Sequence, residues 1–123
     1  MTRRSTRDVG ETISALRAEA ERVGAAVAAV VDHAAAARKA GLSMPDTQVI
    51  IFGNPHAGTP LMQACPEIAI DLPMRLLVRD DGRSGSLVTW QDPAYLARRY
   101  GLGEDQLAPL NAPATIAAAV DGR

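Results

Sequence analysis

The sequence predicts one domain that combines helices and strands. Its 123 residues are enough for a single compact core. A helical pattern follows Asp8, and the apolar run Val49–Phe52 is typical of a strand because it is short, β-branched and aromatic. Two further β-like runs flank the turn signal Asp80–Arg83. No internal repeat or linker divides the chain, so we predict a single domain over residues 1–123.

Composition and charge exclude several classes of function. Apolar residues make up 47% of the chain and charged residues 22%, as in ordinary globular proteins. The net charge of −1 gives no field that attracts nucleic acid or an anionic membrane, and 3% aromatic residues argue against base stacking. The single cysteine, Cys65, excludes an internal disulfide. With no signal peptide or membrane-spanning run visible, we expect a cytoplasmic protein without nucleic-acid partner, membrane partner or cofactor.

The first helix has the clearest local signals. Asp8 is a suitable N-cap, and Glu11 completes a capping-box pattern. Gly24 is a typical C-terminal stop. Apolar residues at helical spacing then predict one buried face, made of Val9, Ile13, Leu16, Ala20 and Val23.

Residues 25–40 carry conflicting signals. Their alanine content favours a helix, whereas Val27, Val30 and Val31 favour a strand. Asp32 is a good cap in the middle of the segment. We interpret the segment as a strand over Ala25–Val31, followed by a short helix over His33–Ala40.

The stretch from Val49 to Gln63 is the most distinctive. We predict a central strand covered on both faces, which ends at Gly53. After a turn through Asn54 and Gly58, Thr59 serves as N-cap and Pro60 as first residue of a helix. Free N–H groups at such a helix start can bind an anion, although the alternative is merely a tight, well-capped turn.

The second half of the chain alternates turns and short elements. Pro66 should end the preceding helix near Cys65. Leu72–Arg79 then predicts a strand, and Gly85–Trp90 predicts the returning strand. Helix starts follow at Asp92-Pro93 and near Asn111-Ala112-Pro113.

Four segments of the chain are distinctive when taken together. They are Asp32-His33-Ala34-Ala35-Ala36, then Ile51-Phe52-Gly53-Asn54-Pro55 with Ala57-Gly58-Thr59-Pro60, Asp71-Leu72-Pro73, and Asp92-Pro93-Ala94-Tyr95-Leu96. With these segments the chain resembles the DUF302 family, a group with no assigned function. The resemblance covers about Val9–Leu102, and the Ala-rich extension 103–123 lies outside it.

The resemblance implies an α+β fold, with a mainly antiparallel sheet packed by helices, and homodimers. It also favours strand-then-helix for residues 25–40. It carries over no catalytic residue. Two departures are visible: His56 stands where family members often have lysine, and the strand that usually precedes the first helix is nearly absent, with only about Thr2–Thr6 available.

These observations lead to a candidate function. We predict a non-catalytic homodimeric binding module with a small anionic-ligand pocket at the Gly53–Gln63 loop. The alternative is a small enzyme that uses His33 or His56 as acid or base. We predict no metal site, because no spacing supplies the ligands, and a buried, inert Cys65. The candidate ligand-binding residues are His33, Asn54, His56, Gly58, Thr59, Gln63 and Arg75.

Overall fold

The computed structural model describes residues 1–120, which form an antiparallel five-stranded sheet packed by helices. The predicted α+β class is therefore confirmed. The strand order is β1-β5-β4-β3-β2. The strands are β1 (Thr2–Ser5), β2 (Ala26–Asp32), β3 (Thr47–Gly53), β4 (Met74–Asp80) and β5 (Ser86–Thr89).

Within residues 1–120, five α-helices connect or follow the strands. They are α1 (Val9–Arg22), α2 (His33–Lys39), α3 (Pro55–Ala64), α4 (Pro93–Tyr100) and α5 (Ala112–Ala117). Short 3-10 segments cover Pro66–Asp71, Glu104–Gln106, Ala108–Asn111 and Ala118–Val120.

Helix α1 forms as its local pattern predicts. The Asp8 side chain accepts a 2.8 Å hydrogen bond from the Glu11 N–H, which caps the first turn. Val23 departs from the prediction, because it is the C-cap residue and its side chain turns out to solvent. The chain then reverses through Gly24 at a φ of 87°, a conformation that favours glycine. The rest of the predicted face is buried: Val9, Ile13, Leu16 and Ala20.

Residues 25–40 form a strand and then a helix, as predicted. Strand β2 begins and ends one residue later than expected, and its register with β3 shifts between Val27 and Ala29. The Asp32 side chain accepts a 2.9 Å hydrogen bond from the Ala35 N–H and so caps α2. A polar cap in mid-segment thus separates two segments of similar composition.

The sheet has one buried face and one face that we call the open face. Helices α1 and α5 contact the buried face. Strand β3 is an inner strand between β4 and β2, next to the middle strand β4. The prediction that both of its faces are covered is wrong, because only one side of β3 is buried. The buried side carries Ile50, Phe52, Leu76, Val78 and Val88. The open face carries half-buried Val49, Ile51 and Leu77 and exposed Arg75 and Arg79.

The N-terminal strand is present, although the sequence left little room for it. Four residues suffice because β1 is an edge strand that pairs only with β5, from Thr2 opposite Thr89 to Ser5 opposite Ser86. The backbone N–H of Trp90 also donates to the Met1 carbonyl at 3.0 Å.

The Ala-rich extension is part of the core rather than an appendage. Its described residues 103–120 place Leu110, Ile116, Ala117 and Val120 in the buried cluster. Burial of these apolar side chains explains why the segment folds against the sheet. Residues 121–123 of the predicted extension lie outside the described residues.

Candidate functional site

Helix α3 begins five residues before the predicted start. Its N-cap is Asn54 and its first residue is Pro55, so Thr59 and Pro60 lie inside the helix. Asn54-Pro55 and Thr59-Pro60 are both typical helix starts, an N-cap residue followed by proline, and the helix begins at the earlier of the two. The predicted free loop up to Gln63 is therefore mostly helix.

The early start also removes the predicted anion-binding groups. The Asn54 side chain accepts a 2.9 Å hydrogen bond from the His56 N–H. The Asn54 carbonyl accepts from the N–H groups of Ala57 at 3.0 Å and Gly58 at 2.8 Å. Pro55 has no N–H, so the first turn offers no free backbone donor to an anion.

This assignment predicts which residue caps α3. Asn54→Ala should lower the free energy of unfolding by about 1 kcal/mol, because the cap to the His56 N–H is lost. Thr59→Ala should change it little, since Thr59 is exposed and caps nothing. Equilibrium urea unfolding of both variants measures the difference. A larger loss for Thr59→Ala would support a helix that starts at Pro60.

Beside α3 lies a concave space that we call the α3 pocket. Its volume is about 310 Å³ and its lining is almost entirely apolar. A Cβ atom at Gly58 would lie in ordinary contact, 3.9 Å from Leu72 Cδ1 and 4.0 Å from Met62 Cε, so a longer side chain there would extend toward the pocket lining. It is lined by Ala26, Ala28, Gly53, Asn54, Pro55, Gly58, Thr59, Met62, Leu72 and Pro73.

The predicted ligand-binding residues do not converge on one site. Asn54, Gly58 and Thr59 line the α3 pocket, whereas neither His56 nor Gln63 lines any cavity described for residues 1–120. His33 and Arg75 meet elsewhere, in a cavity of about 430 Å³ that we call the Arg75 cavity. It is lined by His33, Val49, Arg75, Leu77, Thr89, Trp90 and Gln91.

A cluster of polar side chains around Asp71, next to the Arg75 cavity, was not predicted from the sequence. The Tyr100 hydroxyl donates a hydrogen bond to Asp71, whose carboxylate also lies 3.5 Å from Arg75 Nη2 and 3.8 Å from Arg99 Nε. The hydrogen bond to Asp71 raises the pKa of Tyr100, because it stabilises the protonated phenol. The Asp71-Leu72-Pro73 motif marked the segment, but Tyr100 lies 29 residues away.

The enzyme alternative names His33 and His56. His33 lines the Arg75 cavity and the His56 backbone N–H donates to Asn54, and within residues 1–120 neither imidazole makes a side-chain hydrogen bond or ion pair. No group of three His, Cys, Asp or Glu side chains in residues 1–120 is placed to hold a metal ion. Cys65 is half-buried against the core, and so is less enclosed than predicted.

Within residues 1–120, every helix is too short or too polar to cross a membrane.

Comparisons with known families and structures agree on the fold. The family model described as "Domain of unknown function DUF302" matches residues 1–120. A crystal structure of an uncharacterized conserved DUF302 protein from Bacillus stearothermophilus has a TM-score of 0.83 to this chain at 16% identity. The match covers 98% of this chain and 94% of that one. At this identity the likeness concerns the fold alone.

Some relatives of higher identity are much longer proteins. Fluoride-specific ion channel FluC 1 of Brucella suis biovar 1 (strain 1330) is 47% identical over 103 residues, which cover 84% of this chain but 41% of the channel protein. FluC 1 of Brucella abortus biovar 1 (strain 9-941) has the same identity over the same length, with 38% of its own length covered. The chain thus spans about two fifths of the length of these curated relatives.

Proposed function

The chain belongs to the DUF302 family, and from this premise we propose that it is a non-catalytic binding module that works as a homodimer. The observation that carries the proposal is the α3 pocket, an apolar concavity that the most distinctive stretch of the sequence builds with β2 and the Leu72–Pro73 segment. Pockets of this volume and apolar character are typical small-molecule sites. We place the module in the cytoplasm, where a single unpaired cysteine is ordinary.

The ligand of the α3 pocket differs from the anion that the sequence suggested. Its walls are apolar, from Met62, Leu72 and Pro73, and the donors of the first helical turn are occupied. The polar side chains among the lining residues are Asn54 and Thr59. We therefore propose a small ligand with an apolar body and one polar end.

A substitution that places a large side chain in the pocket tests whether it binds ligands. Gly58→Leu should abolish the thermal stabilisation that a panel of small apolar alcohols and amides gives to the parent protein, because the new side chain occupies the space near Leu72. Gly10→Leu is the matched control, since Gly10 lies exposed in α1. Equal stabilisation of both variants, or no stabilisation of the parent by any compound, would contradict the pocket.

The proposed dimer joins two copies through the outer edge of β2. The two free edges of the sheet differ: β1 has four residues, two of them arginines, whereas β2 has seven residues, six of them apolar. Short and charged edges resist pairing, but a longer apolar edge invites it. Val31 is 39% exposed on β2, and Val23 just before it is 43% exposed. A second copy would bury them by antiparallel pairing about a two-fold axis.

Light scattering tests the dimer separately from the pocket. The parent should have twice the 12.9-kDa chain mass at micromolar concentration. Val31→Lys should shift it toward the monomer, because a charge on an edge strand opposes pairing. Thr2→Lys, on the opposite edge strand, should not. A monomeric parent, or a dimer insensitive to Val31→Lys, rejects this interface.

A second candidate function arises from the longer relatives. Because 84% of this chain is 47% identical to two fifths of proteins named fluoride-specific ion channels, we propose that the module acts beside a channel of that kind. The purified chain should bind the remaining part of the Brucella suis relative in detergent, saturably, and the relative's own matched segment should compete. Absence of saturable binding, or of competition, would rule out this partnership.

A further inference from the structure

The Arg75 cavity lies on the open face of the sheet and shares no lining residue with the α3 pocket. Val49, Leu77 and Thr89 contribute from three neighbouring strands, paired in register as Val49 with Leu77 and Leu77 with Thr89. These residues give the cavity an apolar floor with one hydroxyl. The other lining residues have charged side chains or side chains that can donate a hydrogen bond: His33, Arg75, Trp90 and Gln91.

Arg75 has unused hydrogen-bonding capacity at this cavity. Its side chain is 44% exposed, and its recorded contact is a long one of 3.5 Å from Nη2 to Asp71 Oδ1. Asp71 is shared with Tyr100 and Arg99, so one carboxylate faces two guanidinium groups. A guanidinium presents five donors in a planar fork that matches a carboxylate. The local balance of charge therefore favours one more anion.

Trp90 supplies an independent observation. The residue borders the cavity but is only 7% exposed, since it belongs to the buried cluster, and its indole Nε1 is buried without a hydrogen-bond partner among residues 1–120. Buried donors are nearly always paired, so an unpaired one needs an explanation such as a missing acceptor. An acceptor that enters with a ligand would remove the cost of this unpaired group.

From these observations we propose that the Arg75 cavity is a binding site for a small organic carboxylate with a flat apolar body. The carboxylate pairs with the Arg75 guanidinium and offers an oxygen to the Trp90 N–H, once a movement of the Trp90 ring exposes its buried Nε1 to the cavity. The apolar body lies on Val49 and Leu77. Gln91 and Thr89 line the same cavity, so their side chains can hydrogen-bond to the polar end of the ligand.

Fluorescence provides a direct test, because Trp90 is the single tryptophan of the chain. Benzoate should change the tryptophan emission saturably. Acetate, which lacks the apolar body, and benzyl alcohol, which lacks the charge, should each bind about tenfold more weakly or worse. Inorganic phosphate should compete poorly, because it cannot use the apolar floor. No saturable change with benzoate, or equal binding of benzyl alcohol, would overturn the proposal.

Matched arginine variants separate this site from general surface charge. Arg75→Gln should weaken benzoate binding about tenfold or more, since a charge-assisted hydrogen bond is lost. Arg79→Gln is the control: it changes the same charge on the same strand and face, but Arg79 does not line the cavity. If both variants weaken benzoate binding equally, the effect is one of general surface charge and the proposed site is rejected.

Calorimetry with Trp90→Phe tests the indole N–H itself. Phenylalanine keeps an aromatic ring but lacks the donor, so benzoate should bind measurably more weakly than to the parent. Circular dichroism confirms that the variant is folded before the titration. Unchanged affinity in the folded variant would show that the orphan N–H takes no part in binding.

Discussion

Phe52→Ala should lower the free energy of unfolding by about 3–5 kcal/mol, the usual cost of emptying a buried aromatic site. Phe52 is the single phenylalanine of the chain and is 1% exposed on the buried side of β3. It stands between Val27 on β2 and Met74 on β4. Domains of this size are stable by about 5–15 kcal/mol, so the variant should lose a large part of its stability.

Ile51→Ala is the matched control for this prediction. Ile51 is the preceding residue of the same strand, but its side chain points to the open face and is half-buried. Ile51→Ala should lower the free energy of unfolding clearly less than Phe52→Ala, because the half-buried Ile51 side chain removes less apolar area from water on folding. Equilibrium denaturation in urea gives both values from the midpoint and slope. Similar losses for the two variants would mean that both faces are covered.

Thr12→Val should cost about 1–3 kcal/mol of unfolding free energy, although valine has nearly the same shape as threonine. The Thr12 hydroxyl is fully buried and lies 2.8 Å from the Ser5 hydroxyl and 3.0 Å from the Ser86 hydroxyl. It also donates to the Arg7 carbonyl at 3.3 Å. This network joins α1 to β1 and β5. Without the Thr12 oxygen, the buried Ser5 hydroxyl loses its acceptor and keeps only the bond from the Arg7 N–H, while Ser86 keeps only its bond to the Arg7 carbonyl.

Two further variants show whether the hydroxyl causes the loss. Thr12→Ser keeps the oxygen and should retain most of the stability. Thr47→Val removes a hydroxyl whose 2.9 Å bond to the Pro45 carbonyl is exposed, and should cost about 0.5 kcal/mol or less. The same urea titrations measure all three variants. If Thr12→Val is neutral, the buried network does not contribute to stability.

The sequence by itself determined the elements whose signals are local. Asp8 caps α1 through a bond to the Glu11 N–H three residues on, and periodic apolar residues choose the buried face. Asp32 divides β2 from α2 in the same way. The run Leu72–Arg79 predicted β4, in which buried residues alternate with more exposed ones, as the period of a strand requires. Such signals depend on neighbours within one or two turns, so periodicity and capping rules describe them.

Only the tertiary structure decided how the candidate sites are composed. Asn54-Pro55 and Thr59-Pro60 are equal as local start signals, and a choice between them depends on what the extra turn packs against. The Arg75 cavity joins His33 and Trp90, which lie far apart in the chain, and Tyr100 reaches Asp71 across 29 residues. The floor of the cavity forms because the sheet order places β4 between β3 and β5. No periodicity within a segment encodes that order, because strand pairing is a property of the whole chain.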